Sequence, residues 1–174
     1  MKIYKPKFWD LRDRTYLSYL LSPFTLLLII NNYFLSSAKK KNKDIKTICL
    51  GNIYVGGTGK TPLTIKLNKI LQELGFKTAT IKKFYKEQSD EQILLNDKTK
   101  LYCKKDRLEA LNEAINDNID IAIFDDGLQE RFLGYDLSCV CFNNDTWIGN
   151  GQLIPSGPLR EDLKSILKYD VIFL

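Results

Sequence analysis

The sequence contains no histidine, and this absence limits the chemistry available to the protein. No internal repeat or low-complexity tract is visible among its 174 residues either. Without an imidazole, the chain cannot use histidine as a metal ligand or as a general base. Any acid–base step must therefore use a carboxylate, a lysine or a tyrosine.

Cysteine is also scarce, and its spacing indicates neither a metal site nor a redox pair. The four cysteines contain no Cys-x-x-Cys pair and lie in apolar, strand-like runs. They are Cys49, Cys103, Cys139 and Cys141. We expect them to be small buried hydrophobic residues in a reducing compartment.

The composition predicts one globular domain with an excess of basic residues. Apolar residues make up 44% of the chain and charged residues 27%, which permits one ordinary core and argues against disorder. The formal net charge is +5, and much of the excess lies in residues 2–14 and 39–43. Nucleic acid and anionic lipid are the two candidate partners for these basic residues. A basic region beside a long apolar run favours the membrane surface over nucleic acid.

That apolar run extends over residues 16–35. As one helix it would be about 30 Å long, the thickness of a bilayer core. Pro23 and the pair Asn31-Asn32 interrupt it, and basic residues flank it on both sides, so charge does not choose an orientation. The run predicts an interfacial or monotopic membrane-associating helix in an N-terminal segment of residues 1–44. A buried helix of the core is the alternative.

A glycine-rich stretch predicts a phosphate-binding loop. Glycines let successive backbone N–H groups turn toward one anion, Lys60 adds a positive charge for phosphate, and Thr61 offers a hydroxyl to Mg²⁺. The usual spacing has a glycine where this chain has Tyr54, so a glycine-rich turn without a ligand is the alternative. The candidate nucleotide-binding residues are Tyr54, Val55, Gly56, Gly57, Thr58, Gly59, Lys60 and Thr61.

The segments on both sides of the loop support this interpretation. Residues 45–50 form an apolar run typical of a buried strand, and Pro62 and Gly75 suit the first turn and the end of a helix. Apolar residues recur at helical spacing between them, at Leu63, Leu67, Ile70, Leu71 and Leu74. This order of strand, loop and helix predicts that the protein binds ATP.

Further apolar runs predict a sheet. Nearly continuous apolar runs lie at residues 119–124, 137–142 and 169–174, and residues 77–82 and 101–103 also have the sequence of strands. Asp106, with Glu109 three residues later, marks the start of a helix, whereas residues 83–90 show no period and predict a flexible loop. The alternation predicts an α/β fold like that of P-loop NTPases, with a mostly parallel sheet flanked by helices over residues 45–174.

Asp125 and Asp126 follow the buried run at residues 119–124. From the end of a strand, a carboxylate can reach a Mg²⁺ ion held at the phosphate loop, and a hard cation prefers oxygen ligands. Asp-Asp-Gly is also ordinary turn chemistry. The phosphate loop earlier in the chain favours the metal site over the simple turn.

Three sequence blocks together resemble the tetraacyldisaccharide 4'-kinase family. They are residues 51–62 (Gly-Asn-Ile-Tyr-Val-Gly-Gly-Thr-Gly-Lys-Thr-Pro), 125–129 (Asp-Asp-Gly-Leu-Gln) and 153–161 (Leu-Ile-Pro-Ser-Gly-Pro-Leu-Arg-Glu). Residues 5–9 (Lys-Pro-Lys-Phe-Trp) and the apolar run after them are similar to the membrane-binding segment of that family. The resemblance covers essentially the whole chain.

The resemblance implies transfer of the γ-phosphate of ATP to the 4'-hydroxyl of tetraacyldisaccharide 1-phosphate. The product would be lipid IVA, in lipid A and lipopolysaccharide synthesis at the cytoplasmic face of the bacterial inner membrane. Lys60 would neutralise phosphate charge, and Thr61, Asp125 and Asp126 would hold Mg²⁺. Ser89-Asp90-Glu91 matches the Gly-Asp-Glu block of the family, so Asp90 would accept or orient the proton of the sugar hydroxyl.

The chain departs from the family pattern in three respects. Glu130 stands where the family has a histidine after Asp-Asp-Gly-Leu-Gln. Residues 82–85 (Lys-Lys-Phe-Tyr) replace Ser-Arg-Gly-Tyr, which removes a bidentate arginine. Family members are also much longer and have a C-terminal lobe that closes over the nucleotide. We therefore expect this chain to be an N-terminal portion that is weakly active or inactive by itself.

Two other functions remain open at this stage. A P-loop ATPase of another class would hydrolyse ATP without regard to the lipid. A non-catalytic, membrane-associated nucleotide-binding module would bind liposomes and ATP without turnover. The block at residues 153–161 favours the kinase over a generic ATPase, which has no reason to carry it.

Overall fold

The computed structural model of the chain describes residues 5–35, 39–130 and 132–174. The α-helices in these ranges are α1 (Tyr16–Leu21), α2 (Thr25–Leu35), α3 (Lys60–Glu73), α4 (Ser89–Lys98) and α5 (Arg107–Asn116). The strands are β1 (Lys40–Lys41), β2 (Lys46–Gly51), β3 (Thr78–Lys83), β4 (Leu101–Lys104), β5 (Ile121–Asp125), β6 (Leu133–Gly134), β7 (Leu137–Cys141) and β8 (Val171–Phe173). Short 3-10 helices cover Lys7–Trp9, Ser22–Phe24, Lys86–Gln88 and Leu163–Lys168.

Six of the strands form one parallel sheet, as the apolar runs predict. Their order is β4-β3-β5-β2-β7-β8, and each neighbouring pair is parallel. A separate two-stranded ladder joins β1 to β6. Because the six strands run in one direction, their carboxyl ends share one edge of the sheet. The segments that carry the candidate site residues leave the sheet at that edge.

Helices cover both faces of the sheet. On one face, Leu63, Leu67 and Leu71 of α3 pack against β2 and β5. On the other face, Ala110 and Leu111 of α5 are fully buried in a larger core. Successive residues of a strand point to opposite faces, so β2 and β5 contribute side chains to both clusters. The predicted α/β fold with a parallel sheet flanked by helices is confirmed.

The segment around the glycine-rich loop has the predicted order. The loop leaves β2 after Gly51, and α3 begins at Lys60. Gly59, immediately before α3, has a φ of 73°, in the left-handed region where glycine pays no steric cost. Gly75 follows the end of the helix with a φ of 91°. Both glycines therefore do what their positions in the sequence predict.

The cysteines are free thiols, and the structure buries most of them. Cys49, Cys139 and Cys141 are buried, whereas Cys103 is partly exposed on β4. Burial raises the pKa of the Cys139 and Cys141 thiols to about 11. These thiols therefore stay protonated at neutral pH and pack as small apolar groups.

The apolar run at residues 16–35 does not form the single helix that its length predicts. It is divided into α1 and α2 by a 3-10 turn over Ser22–Phe24. Pro23 lies in that turn, and proline lacks the N–H that a continuous helix needs. In the parts of the chain that the structure describes, no helix is long and apolar enough to cross a membrane. Association of the two short helices with a membrane surface stays a prediction.

The alternative of a buried core helix does not describe α1 and α2. Leu20 and Leu27 are each 70% exposed, whereas Ser18 is 1% exposed. The predicted segment 1–44 also includes residues 1–4 and 36–38, which lie outside the described residues. The boundary at residue 44 stays a prediction.

The opening segment, residues 5–18, is hydrogen-bonded to the loop at residues 150–156. The Trp9 indole donates a hydrogen bond to the Pro155 carbonyl at 3.1 Å, and the Trp9 carbonyl accepts one from Asn150 N at 3.0 Å. Further along, the hydroxyl of Ser156 donates to the Ser18 carbonyl at 2.5 Å. Residues 9–18 therefore hold residues 150–156 in place.

The structure corrects the prediction of a flexible loop at residues 83–90. A 3-10 turn covers Lys86–Gln88, and α4 begins at Ser89. The sequence gives little sign of α4, because Leu95 is fully buried whereas Ile93 is 67% exposed. A helix that buries so few apolar residues shows no clear stripe at helical spacing.

Candidate active site

The register of the sheet brings the glycine-rich loop and the acidic pair together. Leu50 of β2 pairs with Asp125 of β5, and Lys82 of β3 pairs with Asp125 from the other side. The backbone N–H of Asp126 donates to the Leu50 carbonyl at 2.8 Å. The loop after β2 and the acidic pair after β5 therefore start side by side.

The Asp126 carboxylate lies between two cations that come from distant parts of the chain. Lys60, the first residue of α3, has its Nζ 3.7 Å from Asp126 Oδ1. Nη1 of Arg160 is 3.2 Å from the same oxygen and 3.3 Å from Oδ2. Burial opposes ionisation of Asp126, but Lys60 and Arg160 outweigh it and hold its pKa below the ordinary value.

The neighbouring Asp125 has the opposite environment. Its side chain is 1% exposed, and Oδ2 accepts a hydrogen bond from Lys82 Nζ at 2.5 Å. Burial raises the pKa of the Asp125 carboxyl, although Lys82 acts in the opposite direction. Among the described residues, Asp125 Oδ1 has no hydrogen-bond partner. Asp126 is therefore an anion paired with two cations. Asp125 is a buried carboxyl with one oxygen that has no partner among the described residues.

The third sequence block lies directly against the glycine-rich loop. Val55 N donates to the Pro158 carbonyl at 2.9 Å, and Arg160 N donates to the Ile53 carbonyl at 2.6 Å. Leu159, between them, is 1% exposed. These bonds fix the backbone at residue 160 so that its side chain reaches Asp126. All three blocks therefore meet at one place.

Two cavities open on either side of Gln129, and Asp126 lines the smaller one. The smaller, of about 410 Å³, is lined by Lys83, Tyr85, Arg107, Asp126, Gln129, Glu130 and Arg160. The larger, of about 650 Å³, lies between Ile29 of α2 and Tyr169, and Gln129 lines both. The Gln129 amide donates to the Asn52 carbonyl at 3.1 Å and to Glu161 Oε1 at 3.0 Å. Gln129 thus forms the boundary between the two cavities.

Tyr54 is in the predicted nucleotide set, but its side chain is buried against Gly56 of the loop. Its ring is 1% exposed, and its hydroxyl bonds to Asp10 and to Lys5 Nζ, the latter at 3.0 Å. The loop residues on the surface are Gly56, Gly57 and Gly59. Tyr54 therefore connects the loop to the opening segment, and any contact with a nucleotide would come from its backbone.

Asp90, the predicted proton acceptor, lies in the first turn of α4. It is exposed, and the described contact of its side chain is with Ser89 Oγ at 3.5 Å. The next residue, Glu91, is an ion-pair partner of Lys82 at 2.9 Å. Asp90 is thus connected to Asp125 through Glu91 and Lys82 rather than by direct contact.

A comparison with known families agrees with this convergence of three blocks. The sequence pattern of the tetraacyldisaccharide-1-P 4'-kinase family matches residues 16–174, most of the chain. The chain belongs to this family.

Relatives in the family differ in how much they share with this chain. The tetraacyldisaccharide 4'-kinase of Pelagibacter ubique is 51% identical over all 174 residues, which cover 55% of that protein. The Rickettsia typhi kinase is 35% identical, and the match covers 100% of this chain and 59% of that protein. The chain therefore spans little more than half the length of these relatives.

A solved structure of the family has the same fold. The crystal structure of the Aquifex aeolicus enzyme LpxK, in complex with ATP, superimposes with a TM-score of 0.75. It is 25% identical, and the match covers 90% of this chain and 58% of that one. The fold described above is therefore the fold of the tetraacyldisaccharide 4'-kinase family.

Glu130, which stands where the family has a histidine, is paired with a buried arginine in this structure. Arg107, which is 4% exposed, binds the Glu130 carboxylate through Nη1 and the Asp126 carbonyl through Nη2 at 2.7 Å. The negative charge of Glu130 is therefore neutralised by a buried arginine at the start of α5. The same arginine also holds the backbone of the acidic pair.

The donors at this site fit a triphosphate and a hard cation. Thr58 Oγ1 is buried in the loop without a hydrogen-bond partner among the described residues, as is Asp125 Oδ1. Buried polar atoms of this kind are uncommon unless a ligand or water completes them. In the described parts of the chain, no cluster of three or more acidic, cysteine or histidine residues could hold a metal. A cation here would therefore need phosphate oxygens and the partly exposed Thr61.

Sequence reasoning missed three basic residues of the site. Arg160, Lys82 and Arg107 all contact Asp125 or Asp126, yet they come from three separate segments. Arg160 and Lys82 carried a signal, because each lies in a segment that corresponds to a block of the family, whereas Arg107 carried none. The assignment of the predicted residues to ATP and Mg²⁺ itself stays a prediction.

Proposed function

We propose that this chain is the ATP-binding part of a kinase that phosphorylates a lipid. The acceptor is the 4'-hydroxyl of tetraacyldisaccharide 1-phosphate, and the product is lipid IVA. One observation carries the proposal: the phosphate loop, the acidic pair and the block at residues 153–161 converge on Asp126 through Lys60 and Arg160. A generic nucleotide-binding loop does not need the third block.

The nucleotide end of the site follows from the placement of charge. We assign the phosphate tail to the N-terminus of α3, where the glycine backbone and the helix dipole favour an anion. Lys60 and Arg160 are paired with Asp126 in this structure and provide positive charge for the β- and γ-phosphates. Thr61, Asp125 and Asp126 are the residues assigned to Mg²⁺, which supplies neutralisation of the charge that develops on the phosphate oxygens.

The transfer step needs alignment more than a strong base. The oxygen of the sugar 4'-hydroxyl forms a bond to the γ-phosphorus while the bond to the β-phosphate oxygen breaks and ADP leaves. Asp90 is assigned to accept the hydroxyl proton, and its exposed position at the start of α4 leaves room for a sugar.

The acceptor end of the site supports an amphiphilic substrate. The larger cavity reaches from Gln129 to Ile29 of α2. Helices α1 and α2 and the turn between them expose Leu17, Leu20, Phe24, Leu26 and Leu27. We assign these exposed side chains to the cytoplasmic surface of the inner membrane, where a lipid can present its sugar while the acyl chains stay in the bilayer. Basic residues before α1 and after α2 suit anionic head groups.

A phosphate-transfer assay tests the proposal. A longer form that includes the rest of the protein is incubated with γ-labelled ATP, Mg²⁺ and tetraacyldisaccharide 1-phosphate in mixed micelles, and label in the lipid is counted. We expect Lys60→Ala to abolish transfer and Asp90→Ala to reduce it strongly. Lys66→Ala, a change at an exposed position of the same helix, is the matched control and should behave as wild type.

The other outcomes separate the competing functions. ATP hydrolysis that ignores the lipid would indicate an ATPase of another class. Binding of ATP and liposomes without label in the lipid, even in a longer form that includes the rest of the protein, would indicate a non-catalytic module. Either result would overturn the proposed kinase.

A further inference from the structure

Lys82 is a buried lysine that bridges two carboxylates at the edge of the candidate site. Its side chain is 4% exposed. Nζ lies 2.5 Å from Asp125 Oδ2 and 2.9 Å from Glu91 Oε2. Asp125 is at the end of β5, whereas Glu91 is in the first turn of α4. The Lys82 ammonium group therefore joins the centre of the sheet to α4, the helix that carries Asp90.

The bridge fixes Asp125 as well as α4. Because Oδ2 of Asp125 is occupied by Lys82, only Oδ1 is available to a ligand, and Oδ1 is the buried oxygen without a partner among the described residues. A buried carboxyl with one oxygen held in this way has one orientation rather than several. Lys82 thus determines which oxygen of Asp125 faces a ligand.

Among the hydrogen bonds and ion pairs of the described residues, none other than this bridge joins the first turn of α4 to β5. Leu95 anchors the second half of the helix in the core. Gln92 bonds to the Tyr85 carbonyl at 2.5 Å, within the same connecting segment, and accepts from Cys103 Sγ at 3.6 Å, on the edge strand β4. Glu91 is the residue of the first turn that reaches the central strands.

We propose that Lys82 is a positioning residue that holds Asp90 in register with Asp125. It does so through Glu91, so that the metal-side carboxylate and the predicted proton acceptor keep a fixed separation. The inference rests on the proposed kinase function for the role of Asp90. The bridge itself can be tested without that function.

Amide hydrogen exchange tests the bridge in the chain as it stands. In α4 the amides of residues 93–95 bond to the carbonyls of residues 89–91, so they report opening of the first turn. Glu91→Gln keeps the shape of a half-exposed side chain and removes its charge. We expect these amides to exchange about tenfold faster in Glu91→Gln.

Glu87→Gln is the matched control, because Glu87 is exposed and makes no ion pair or hydrogen bond among the described residues. It should leave exchange in α4 unchanged. Equal protection of residues 93–95 in wild type, Glu91→Gln and Glu87→Gln would overturn the inference. Lys82→Met is a weaker probe because it leaves Asp125 buried without its cation and can prevent folding.

A double-mutant cycle separates positioning from mere stabilisation. If the bridge acts through Asp90, Glu91→Gln lowers kcat about tenfold in the wild-type background but less than about twofold in Asp90→Asn. KM for ATP should stay within about twofold in both, because the bridge does not touch the phosphate loop. Equal losses of kcat in both backgrounds would overturn the positioning role. These kcat measurements use a longer form that includes the rest of the protein. An absence of lipid phosphorylation in the wild type of that form would instead overturn the proposed function and leave the exchange result to decide the bridge.

Discussion

At the scale of single residues, Asp126 is where charge from three parts of the chain converges. Its φ of 60° places it in the left-handed region, which aspartate tolerates better than most residues. This conformation turns the carboxylate toward Lys60 and Arg160 while the backbone N–H stays bonded to β2. The site therefore depends on one unusual backbone angle and on two cations.

Arg160→Met should weaken ATP binding about tenfold, because a charged hydrogen-bond donor contributes about 1.5–3 kcal/mol and each 1.4 kcal/mol is tenfold in affinity. Methionine keeps much of the length of the side chain and removes its charge. Calorimetric titration with ATP and Mg²⁺ measures the dissociation constant. Lys164→Met, at an exposed position of the 163–168 turn, is the control. Unchanged affinity in Arg160→Met would show that Arg160 does not contact phosphate.

Asp126→Asn should change how the free energy of unfolding depends on pH in the acid range. The folded-state pKa of Asp126 lies below the ordinary value of an aspartate, so its ionised form stabilises the fold above the unfolded pKa. That contribution is lost as the pH falls through the folded pKa. Urea unfolding in metal-free buffer should give wild type an advantage, on the order of 1 kcal/mol, near neutral pH. The advantage should decline in the acid range and disappear as the pH falls through the lowered folded-state pKa. A difference that stays constant down to acid would contradict this assignment.

At the scale of elements, α1 and α2 form the most apolar exposed surface of the described chain. Pro23 ends the first helix, and the second starts only two residues later, at Thr25. Polar residues attach this pair to the domain: Ser18 bonds to Asn150 at 3.0 Å, and Asn32 donates to the Arg160 carbonyl at 2.8 Å. The apolar side chains are therefore left facing outward.

Leu27→Asp should weaken binding to vesicles that contain anionic lipid. Leu27 is 70% exposed, and burying one leucine in an apolar phase contributes about 1.5–3 kcal/mol, so partitioning should fall about tenfold or more. Co-sedimentation with vesicles measures the effect. Leu167→Asp is the matched control, since Leu167 is 89% exposed on a different element. Equal binding by both variants would remove the support for a membrane surface at α2.

At the scale of the whole molecule, the segment around Trp9 and the segment at residues 150–160 together support the glycine-rich loop. Trp9 holds the loop at residues 150–155, and Pro158 and Arg160 of the same block bond to Val55 and Ile53. The opening segment thus supports the site indirectly: it binds residues 150–156, and the residues that follow them contact the glycine-rich loop.

Trp9→Ala should destabilise the domain by about 3 kcal/mol, the typical cost of removing a large buried aromatic side chain. It should also weaken ATP binding, because the block behind the loop loses its anchor. Urea unfolding and ATP titration measure the two effects. Tyr16→Ala, at a position 95% exposed, should change stability by less than about 0.5 kcal/mol. A large loss of stability with unchanged ATP affinity would show that the block does not need this anchor.

Local signals were enough to predict much of the fold and half of the site. The runs that became β5 and β7 are strongly apolar, and so is most of the run that became β2. The cap at Asp106 is confirmed by its bond from Leu108 N at 2.9 Å. Lys60 and Asp126 were predicted as neighbours and are 3.7 Å apart. α4 was missed because its single buried leucine, Leu95, gives no stripe.

The sequence by itself determined the parallel α/β sheet, the glycine-rich loop at a helix start and the acidic pair at a strand end. Each of these depends on residues within a few positions of one another. Only the tertiary structure decided that Arg160 and Lys60 share Asp126, that Lys82 bridges Asp125 and Glu91, and that Glu130 is neutralised by Arg107. Those pairings depend on strand register and on loop packing, because a buried charge takes whichever opposite charge the fold places within reach.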